Sequence, residues 1–224
     1  MVNILNIETT TTNCSVSLSQ DGETLVLKED NTPEYSHAET LHLYIEETIK
    51  TAGLNFKDLH AIAVSKGPGS YTGLRIGVSA AKGLSFSLGI PLISVATLQS
   101  LALKVKGGAY GYIISMLDAR RMEVYSAVFD TNYNEVRTTQ AEIITESSFE
   151  KYVSEKTTYF IGNGVEKTKS LIKHPNAVFI ENELPSAHEM SSLAFAKYKI
   201  SDFEDVAYFE PYYLKDFIAL KPKS

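Results

Sequence analysis

A short apolar run, a glycine-rich loop and a long, almost uncharged stretch follow one another directly in this chain and leave few folds open. Residues 61–65 are short and apolar, as in a strand that is buried on both faces. The loop at residues 66–73 contains three glycines, and residues 71–88 then carry only two charges, Arg75 and Lys82. The length of this last stretch predicts a helix. A strand, a loop and a helix in this order predict an α/β fold.

The rest of the chain continues this alternation. Its first hundred residues predict strands at residues 2–7, 14–19, 24–27, 61–65 and 92–95 and helices at residues 37–52 and 71–88. The second half begins with three strands and goes on with short strands and helices. No internal repeat is evident in the sequence. We expect a first lobe over residues 1–106 and a smaller α/β lobe over residues 107–224, divided near Gly107-Gly108.

The chain is acidic, with 21 lysines and arginines against 27 aspartates and glutamates and a net charge of −6. It has no block of five basic residues, whereas a protein that grips nucleic acid by itself usually has a basic stripe. Its single cysteine excludes an intramolecular disulfide and a multi-cysteine zinc site. No apolar run reaches the ~18–20 residues that span a bilayer, and the N-terminus lacks the basic region of a signal peptide. We expect a cytoplasmic protein that contacts no membrane and does not bind nucleic acid unaided.

The glycine-rich loop has two interpretations. A strand, a glycine loop and a helix N-terminus form a natural phosphate cradle, which would involve Gly67 and Gly69. The spacing matches neither the dinucleotide-binding fingerprint nor the P-loop, because the third glycine comes one residue late and no Lys-Ser pair follows. The alternative is an ordinary turn in which Ser70 caps the helix.

A polar turn follows the first predicted strand, where Glu8 precedes four threonines. An acid with several hydroxyls could hold a nucleotide phosphate through magnesium, with Glu8, Thr9 and Thr10 beside the glycine loop. The same residues could instead satisfy their own backbone groups in a hairpin, and the spacing alone favours the hairpin.

The predicted helix at residues 71–88 carries a row of small residues at four-residue spacing, namely Gly73, Gly77, Ala81 and Ser85. Apolar side chains cover most of its remaining surface, so we expect the helix to be buried on nearly all sides. The helix would then pack against other parts of this chain, which is the commoner case, or one of its faces would pack against a partner protein. The histidines predict no metal site, because His37 and His42 are five residues apart and a helical pair of ligands needs four.

Several segments carry a more specific signal, and they read ILNIETT at 4–10, CSVSL at 14–18, GPGSYTGLRIG at 67–77, DARRMEVY at 118–125, GNG at 162–164 and EPYYL at 210–214. Together and in this order, they resemble the TsaB family, also called YeaZ. The long Gly-Pro-Gly motif is the most specific of them. Where the family has an aspartate in its first motif, this chain has Glu8, which weighs against nucleotide binding.

The resemblance implies an actin-like ATPase (ribonuclease H-like) fold of two lobes with a reduced second lobe. It implies an accessory subunit rather than an enzyme, which binds and activates TsaD, together with TsaE, in the synthesis of threonylcarbamoyladenosine in tRNA. ATP and metal would belong to TsaD, and this chain would have no cofactor and no metal of its own. It would reach tRNA only indirectly, through the complex. Alone, it would form a homodimer through the faces that meet TsaD.

By the same resemblance, the two predicted helices at residues 37–52 and 71–88 are the pair that contacts TsaD. The expected interface residues are Leu41, Ile45, Leu74, Arg75, Val78, Ala81 and Lys82. A vestigial phosphate loop would consist of Glu8, Thr9, Thr10, Gly67 and Gly69. Two other functions stay open. A nucleotide-binding ATPase or kinase-like enzyme of the same fold predicts ATP binding by the isolated chain, and a metallopeptidase predicts a bound metal.

Overall fold

The computed structural model describes residues 1–31, 37–105 and 111–215, and there the chain alternates strands and helices as predicted. The strands are β1 (Asn3–Glu8), β2 (Cys14–Gln20), β3 (Glu23–Asp30), β4 (Ala61–Gly67), β5 (Leu92–Ala96), β6 (Tyr112–Asp118), β7 (Glu123–Phe129), β8 (Glu135–Ile143), β9 (Thr158–Ile161) and β10 (Ala177–Ile180). The helices are α1 (His37–Thr51), α2 (Tyr71–Leu88), α3 (Thr97–Ala102), α4 (Glu150–Glu155), α5 (Val165–Lys169) and α6 (Ala187–Lys199).

The first sheet has the strand order β3-β2-β1-β4-β5. Its first three strands form an antiparallel meander, and β4 and β5 then join parallel to β1. The turn between β2 and β3 holds Asp21 and Gly22 at φ of 51° and 91°, in a left-handed region that these two residue types tolerate. Because β1 and β4 are parallel neighbours, the turn after β1 and the loop after β4 lie at the same edge of the sheet.

The second sheet repeats this plan in the order β10-β9-β6-β7-β8, again an antiparallel meander followed by two parallel strands. The sequence shows no repeat because many different residues can satisfy the same pattern of burial. The second lobe is reduced in its later elements, since β9 and β10 have four residues each and α4 and α5 have six and five. This architecture confirms the predicted α/β, actin-like ATPase fold of two lobes.

Helices cover both faces of the first sheet. Helices α1 and α2 pack on one face, where Ile7 of β1 shares a core with Leu41 and Val78. Helix α6 packs on the other face, where Ile4 of β1 shares a core with Met190. The near-continuous burial of β1 and β4 follows from this, because a strand between two helical layers has no solvent-facing side.

The second half of the chain does not form one continuous lobe. Helix α6 follows the second sheet in sequence but packs on the first, where the Ser17 hydroxyl donates a 2.8 Å hydrogen bond to the carbonyl oxygen of Ala187. Beyond this helix, Glu204 pairs with Leu92 of β5. The second lobe therefore ends before α6, which shortens the range of 107–224 expected from the sequence. The predicted division near Gly107-Gly108 lies outside the described residues and stays a prediction.

Two smaller features concern burial. Cys14 lies in β2 with 3% of its surface exposed, and burial raises the pKa of its thiol, as expected for a cysteine that acts as a small hydrophobic residue. Among the helices that the structure describes, none is long and apolar enough to cross a membrane.

Candidate functional site

The structure brings the predicted phosphate-loop residues to one edge of the first sheet. The turn after β1 contains Thr9 and Thr10, Gly67 is the last residue of β4, and the loop after β4 contains Gly69. The two segments touch: a Cβ atom added to Gly69 would lie 2.5 Å from Thr10. Gly67 has a φ of 109° and lies against helix α2. The two segments are therefore neighbours, and a role of these residues in holding phosphate stays a prediction.

The space at the N-terminus of α2 is nevertheless filled by the chain itself. The Ser70 N–H donates to the carbonyl oxygen of Thr10 at 2.7 Å, and the Thr9 hydroxyl donates to the carbonyl oxygen of Gly73 at 2.8 Å. The Gly73 N–H is used as well, because Ser70 accepts from it at 3.3 Å and caps the helix as predicted. A phosphate at a helix N-terminus needs such N–H groups free. The geometry favours a structural turn over a phosphate cradle.

This contact also explains two of the four small residues in the row on α2, Gly73 and Gly77. A Cβ atom at Gly73 would overlap the carbonyl oxygen of Thr9, and one at Gly77 would overlap its hydroxyl oxygen. Each glycine inside a helix costs about 1 kcal/mol relative to alanine, and the close contact with the threonine turn offsets that cost. The neighbour that requires these two small residues is thus a turn of the same chain.

Glu8 has no exposed surface, and its carboxylate is held entirely by neighbouring donors. It accepts hydrogen bonds from the Thr10 N–H at 2.6 Å, from the Thr10 hydroxyl at 2.5 Å and from the Ser65 hydroxyl. Burial raises the pKa of the carboxyl group, and the hydrogen bonds act in the opposite direction without cancelling the effect. Both oxygens are occupied within the chain, which is the arrangement of a structural carboxylate.

Replacing Glu8 with glutamine tests this assignment through pH. Because the pKa of Glu8 is raised in the folded state, the native chain holds this proton at pH values where the unfolded chain has lost it. The contribution of Glu8 to stability is therefore present below pH 4.5, the ordinary value for glutamate, and is lost as the pH rises through the raised pKa. We expect the free energy of unfolding of Glu8→Gln, minus that of the parent, to grow with pH in urea titrations. A difference that shrinks with pH would contradict the assignment.

The expected interface residues divide into two groups. Five of the seven are buried within the first lobe, with 0–4% of their surface exposed, and these are Leu41, Ile45, Leu74, Val78 and Ala81. They recur every three or four positions, so each helix turns this stripe toward the sheet. This corrects the choice of residues, because side chains enclosed in the chain's own core cannot form the core of an interface. The helix pair itself remains the predicted surface.

The two charged residues of α2 have separate positions. Arg75 is exposed, and its guanidinium lies 5.1 Å from the centre of the Tyr71 ring. Lys82 is half-buried and donates hydrogen bonds to the carbonyl oxygens of Ala207 and Phe209, at 3.1 and 2.9 Å. Lys82 therefore links the C-terminal segment, residues 204–215, to α2. Of the expected interface residues, only Arg75 is exposed.

An open groove of about 720 Å³ runs between α1 and α2. It is lined by Ala38, His42, Tyr71, Thr72, Arg75, Ile76, Ser79, Ala80, Gly83 and Leu84. Phe86 lies on the same stripe of α2 as Arg75, because eleven residues make just over three full turns, and 82% of Phe86 is exposed. Helix α2 is thus not buried on nearly all sides, contrary to the expectation from its composition.

The C-terminal segment connects this helix pair with the second lobe. The Tyr212 N–H donates to the carbonyl oxygen of Lys66 at 2.7 Å, and the Tyr213 ring stacks at 5.0 Å from that of Tyr71. Two residues later, Lys215 forms an ion pair with Glu123 at the start of β7. The sequence matched this segment to a motif but did not predict its place.

Three of the five histidine rings, those of His37, His60 and His174, have hydrogen-bonding partners within the chain. His37 lies 2.6 Å from the carbonyl oxygen of Thr11, and Nδ1 of His60 accepts from the Asn3 N–H at 3.2 Å. Within the three described ranges, no group of three or more histidine, cysteine or acidic side chains is arranged to hold a metal ion.

Comparisons of the sequence with known proteins agree with these motifs. Residues 32–219 match a family model described as "TsaD: tRNA N6-adenosine threonylcarbamoyltransferase". The tRNA threonylcarbamoyladenosine biosynthesis protein TsaB of Escherichia coli is 31% identical over 97% of this chain and 96% of its own length. A tRNA N6-adenosine threonylcarbamoyltransferase from Jannaschia is 46% identical over 37% of this chain and 24% of its own length.

The fold has a close counterpart among solved structures. YeaZ from Pseudomonas aeruginosa superposes with a TM-score of 0.82 at 24% identity, and the match covers 96% of this chain and all of that one. The likeness in fold therefore extends over nearly the whole chain.

Proposed function

Because the chain belongs to the TsaB (YeaZ) family, we propose that it acts as a non-catalytic subunit in the synthesis of threonylcarbamoyladenosine in tRNA. In this proposal it binds and activates a TsaD-family transferase in the cytoplasm, with TsaE as a third member. The transferase carries ATP and metal, and this chain contributes a docking surface.

The observation that carries the proposal is the open groove between α1 and α2. Its lining includes the apolar side chains of Ile76, Ala80 and Leu84, and 82% of the neighbouring Phe86 is exposed. A large exposed aromatic side chain beside a groove between two helices is typical of a protein interface, where helices of a partner fill the groove. Arg75 lies at the edge of the groove, and arginine is enriched at interfaces.

A TsaD-family protein is the partner we favour because the chain matches the model of that family over residues 32–219. A related chain carries its own version of the α1–α2 pair. Two such pairs can pack against each other as four helices about an approximate two-fold axis. A second copy of this chain could occupy the groove by the same packing, which accounts for a homodimer in the absence of the partner.

The filled cradle beside α2 supports a non-catalytic role. An ATPase or kinase of this fold would hold phosphate groups between the turn at Thr9 and Thr10 and the N-terminus of α2, and here the two are hydrogen-bonded to each other. The competing proposal of a nucleotide enzyme therefore requires this turn to move away. We favour the accessory role for that reason.

Size-exclusion chromatography with light scattering tests the proposal directly. The chain is measured alone, with its TsaD-family protein from the same organism, and with both that protein and TsaE. We expect a dimer of the chain alone and a one-to-one complex with the TsaD-family protein. The absence of any complex, with TsaE, ATP and tRNA all present, would refute the proposal. ATP binding by the isolated chain in calorimetry would support the nucleotide enzyme instead.

A further inference from the structure

The turn between β6 and β7 carries two adjacent arginines in an unusual backbone conformation. Arg120 and Arg121 have φ values of 71° and 49°, in the left-handed region that residues other than glycine, asparagine and aspartate rarely adopt. Both side chains are exposed. Long side chains at such positions have a conformational cost, and an observed outlier of this kind is a reason to ask for a function.

The surroundings hold this turn in place. Lys167 forms an ion pair with Asp118 and donates hydrogen bonds to the carbonyl oxygens of Arg121 and Glu123 at 2.9 and 2.6 Å. Asp118 in turn accepts from the Arg120 N–H at 2.8 Å. These half-buried and exposed contacts hold the backbone of the turn, so that both arginine side chains extend from a defined backbone.

The acidic groups of the turn are already neutralised by lysines. Asp118 pairs with Lys167, and Glu123 pairs with Lys215. Within the described ranges, neither Arg120 nor Arg121 has an acidic or hydrogen-bonding partner for its side chain. A chain with a net charge of −6 thus presents a local excess of positive charge at this one hairpin.

Residues 213–215 of the C-terminal segment link the hairpin to the proposed partner groove. Tyr71 of the groove stacks on Tyr213, and Lys215, two residues further on, pairs with Glu123 at the base of the hairpin. Guanidinium groups bind phosphate oxygens in a bidentate manner, which makes phosphate the chemistry they fit best.

We propose that Arg120 and Arg121 contact the phosphate backbone of the substrate RNA within the assembled complex. The turn is an exposed ridge rather than a pocket, which suits a polyanion better than a free nucleotide. The inference rests on the proposed function, since the partner supplies most of the RNA-binding surface. It adds a direct contact to the indirect tRNA association expected from the sequence.

Two double variants separate charge from folding. Arg120→Gln/Arg121→Gln removes both charges and keeps long side chains. Arg120→Asn/Arg121→Asn removes the same charges and introduces a residue that tolerates the left-handed region, so its Tm is expected at or above that of the parent. The matched control is Lys151→Gln/Lys173→Gln, which removes two exposed charges elsewhere in the second lobe.

Each variant is first purified as the complex with the TsaD-family partner, and binding of unmodified tRNA is then measured by anisotropy from about 50 to 200 mM salt. Both arginine variants are expected to weaken binding about tenfold at low salt. The slope of log K against log salt should fall by about 2, and the control should match the parent. Parental affinity and slope in both arginine variants would overturn the inference while the complex itself stands. Failure of the parent complex to form would overturn the proposed function and this inference together.

A cross-linking residue distinguishes RNA from other anions. Met122, 41% exposed and next to the arginines, is replaced by benzoylphenylalanine in the parent complex. A cross-link to tRNA supports the inference, and a cross-link to the partner protein alone overturns it. ATP and inorganic phosphate are also compared with sodium chloride of equal ionic strength for their ability to release bound tRNA. If either phosphate compound releases more tRNA than the salt does, the arginines form a site for small phosphates and the inference is overturned.

Discussion

Replacing Gly73 with alanine is expected to lower the free energy of unfolding by at least about 3 kcal/mol. The added Cβ atom would overlap the carbonyl oxygen of Thr9, which is backbone and cannot rotate away. Relief would require the threonine turn to separate from α2. That movement would break the hydrogen bonds from the Thr9 hydroxyl to Gly73 and from the Ser70 N–H to Thr10. For a chain of this size we expect a fall in Tm of roughly 6–12 °C by calorimetry.

Gly83→Ala is the matched control on the same helix. A Cβ atom at Gly83 meets no atom within 4 Å, so alanine there gains helix propensity without a steric cost. We expect Gly83→Ala to raise the free energy of unfolding by up to about 1 kcal/mol. Changes of opposite sign in the free energy of unfolding at Gly73 and Gly83 would establish that the contact between the threonine turn and α2 requires glycine at position 73. A small loss of stability in Gly73→Ala would mean that the threonine turn can move away from α2. The interpretation of a filled cradle would then fail.

The fold was predictable because its signals are local. Alternating short apolar runs and amphipathic stretches identify strands and helices, and α2 begins and ends at the predicted residues, Tyr71 and Leu88. The return of α6 to the first sheet was not predictable, since its apolar face would suit either sheet. The shared topology of the two sheets could not be predicted for a similar reason. Burial requires that a residue be apolar but does not specify which apolar residue it is.

The candidate site was predictable only in part. The Gly-Pro-Gly loop and the turn at Glu8 were identified from residue types, and the topology brings them together as parallel neighbours must. Whether the resulting space is empty depends on hydrogen bonds between Thr10 and Ser70, which no pattern encodes. The exposed face of α2 was not predicted, because apolar and small residues occupy most positions around this helix. Its composition alone does not say which face is exposed. The one usable signal was Arg75, whose charge requires a route to solvent.

Gly83→Glu is expected to weaken the complex with the TsaD-family partner by about 30-fold or more, the cost of an unpaired charge inside an interface. Gly83 is exposed and lines the groove, so the carboxylate would lie where the proposal places apolar helices of the partner. Glutamate is also a better helix former than glycine, and the isolated variant should be at least as stable as the parent. Affinity is measured by calorimetry with the purified partner protein, and Tm is measured on the same samples.

Ser154→Glu provides the matched control, because it adds the same charge to an exposed helical position on α4 in the second lobe. Its affinity for the partner should equal that of the parent. A loss of affinity in Gly83→Glu but not in Ser154→Glu locates the partner at the groove. Equal losses of affinity in both variants would indicate a general effect of added negative charge on an already acidic chain. Parental affinity in Gly83→Glu would exclude the groove, and the docking surface would then have to lie away from the α1–α2 pair. The comparison is decisive because neither substitution touches the core, so that folding and docking are measured separately.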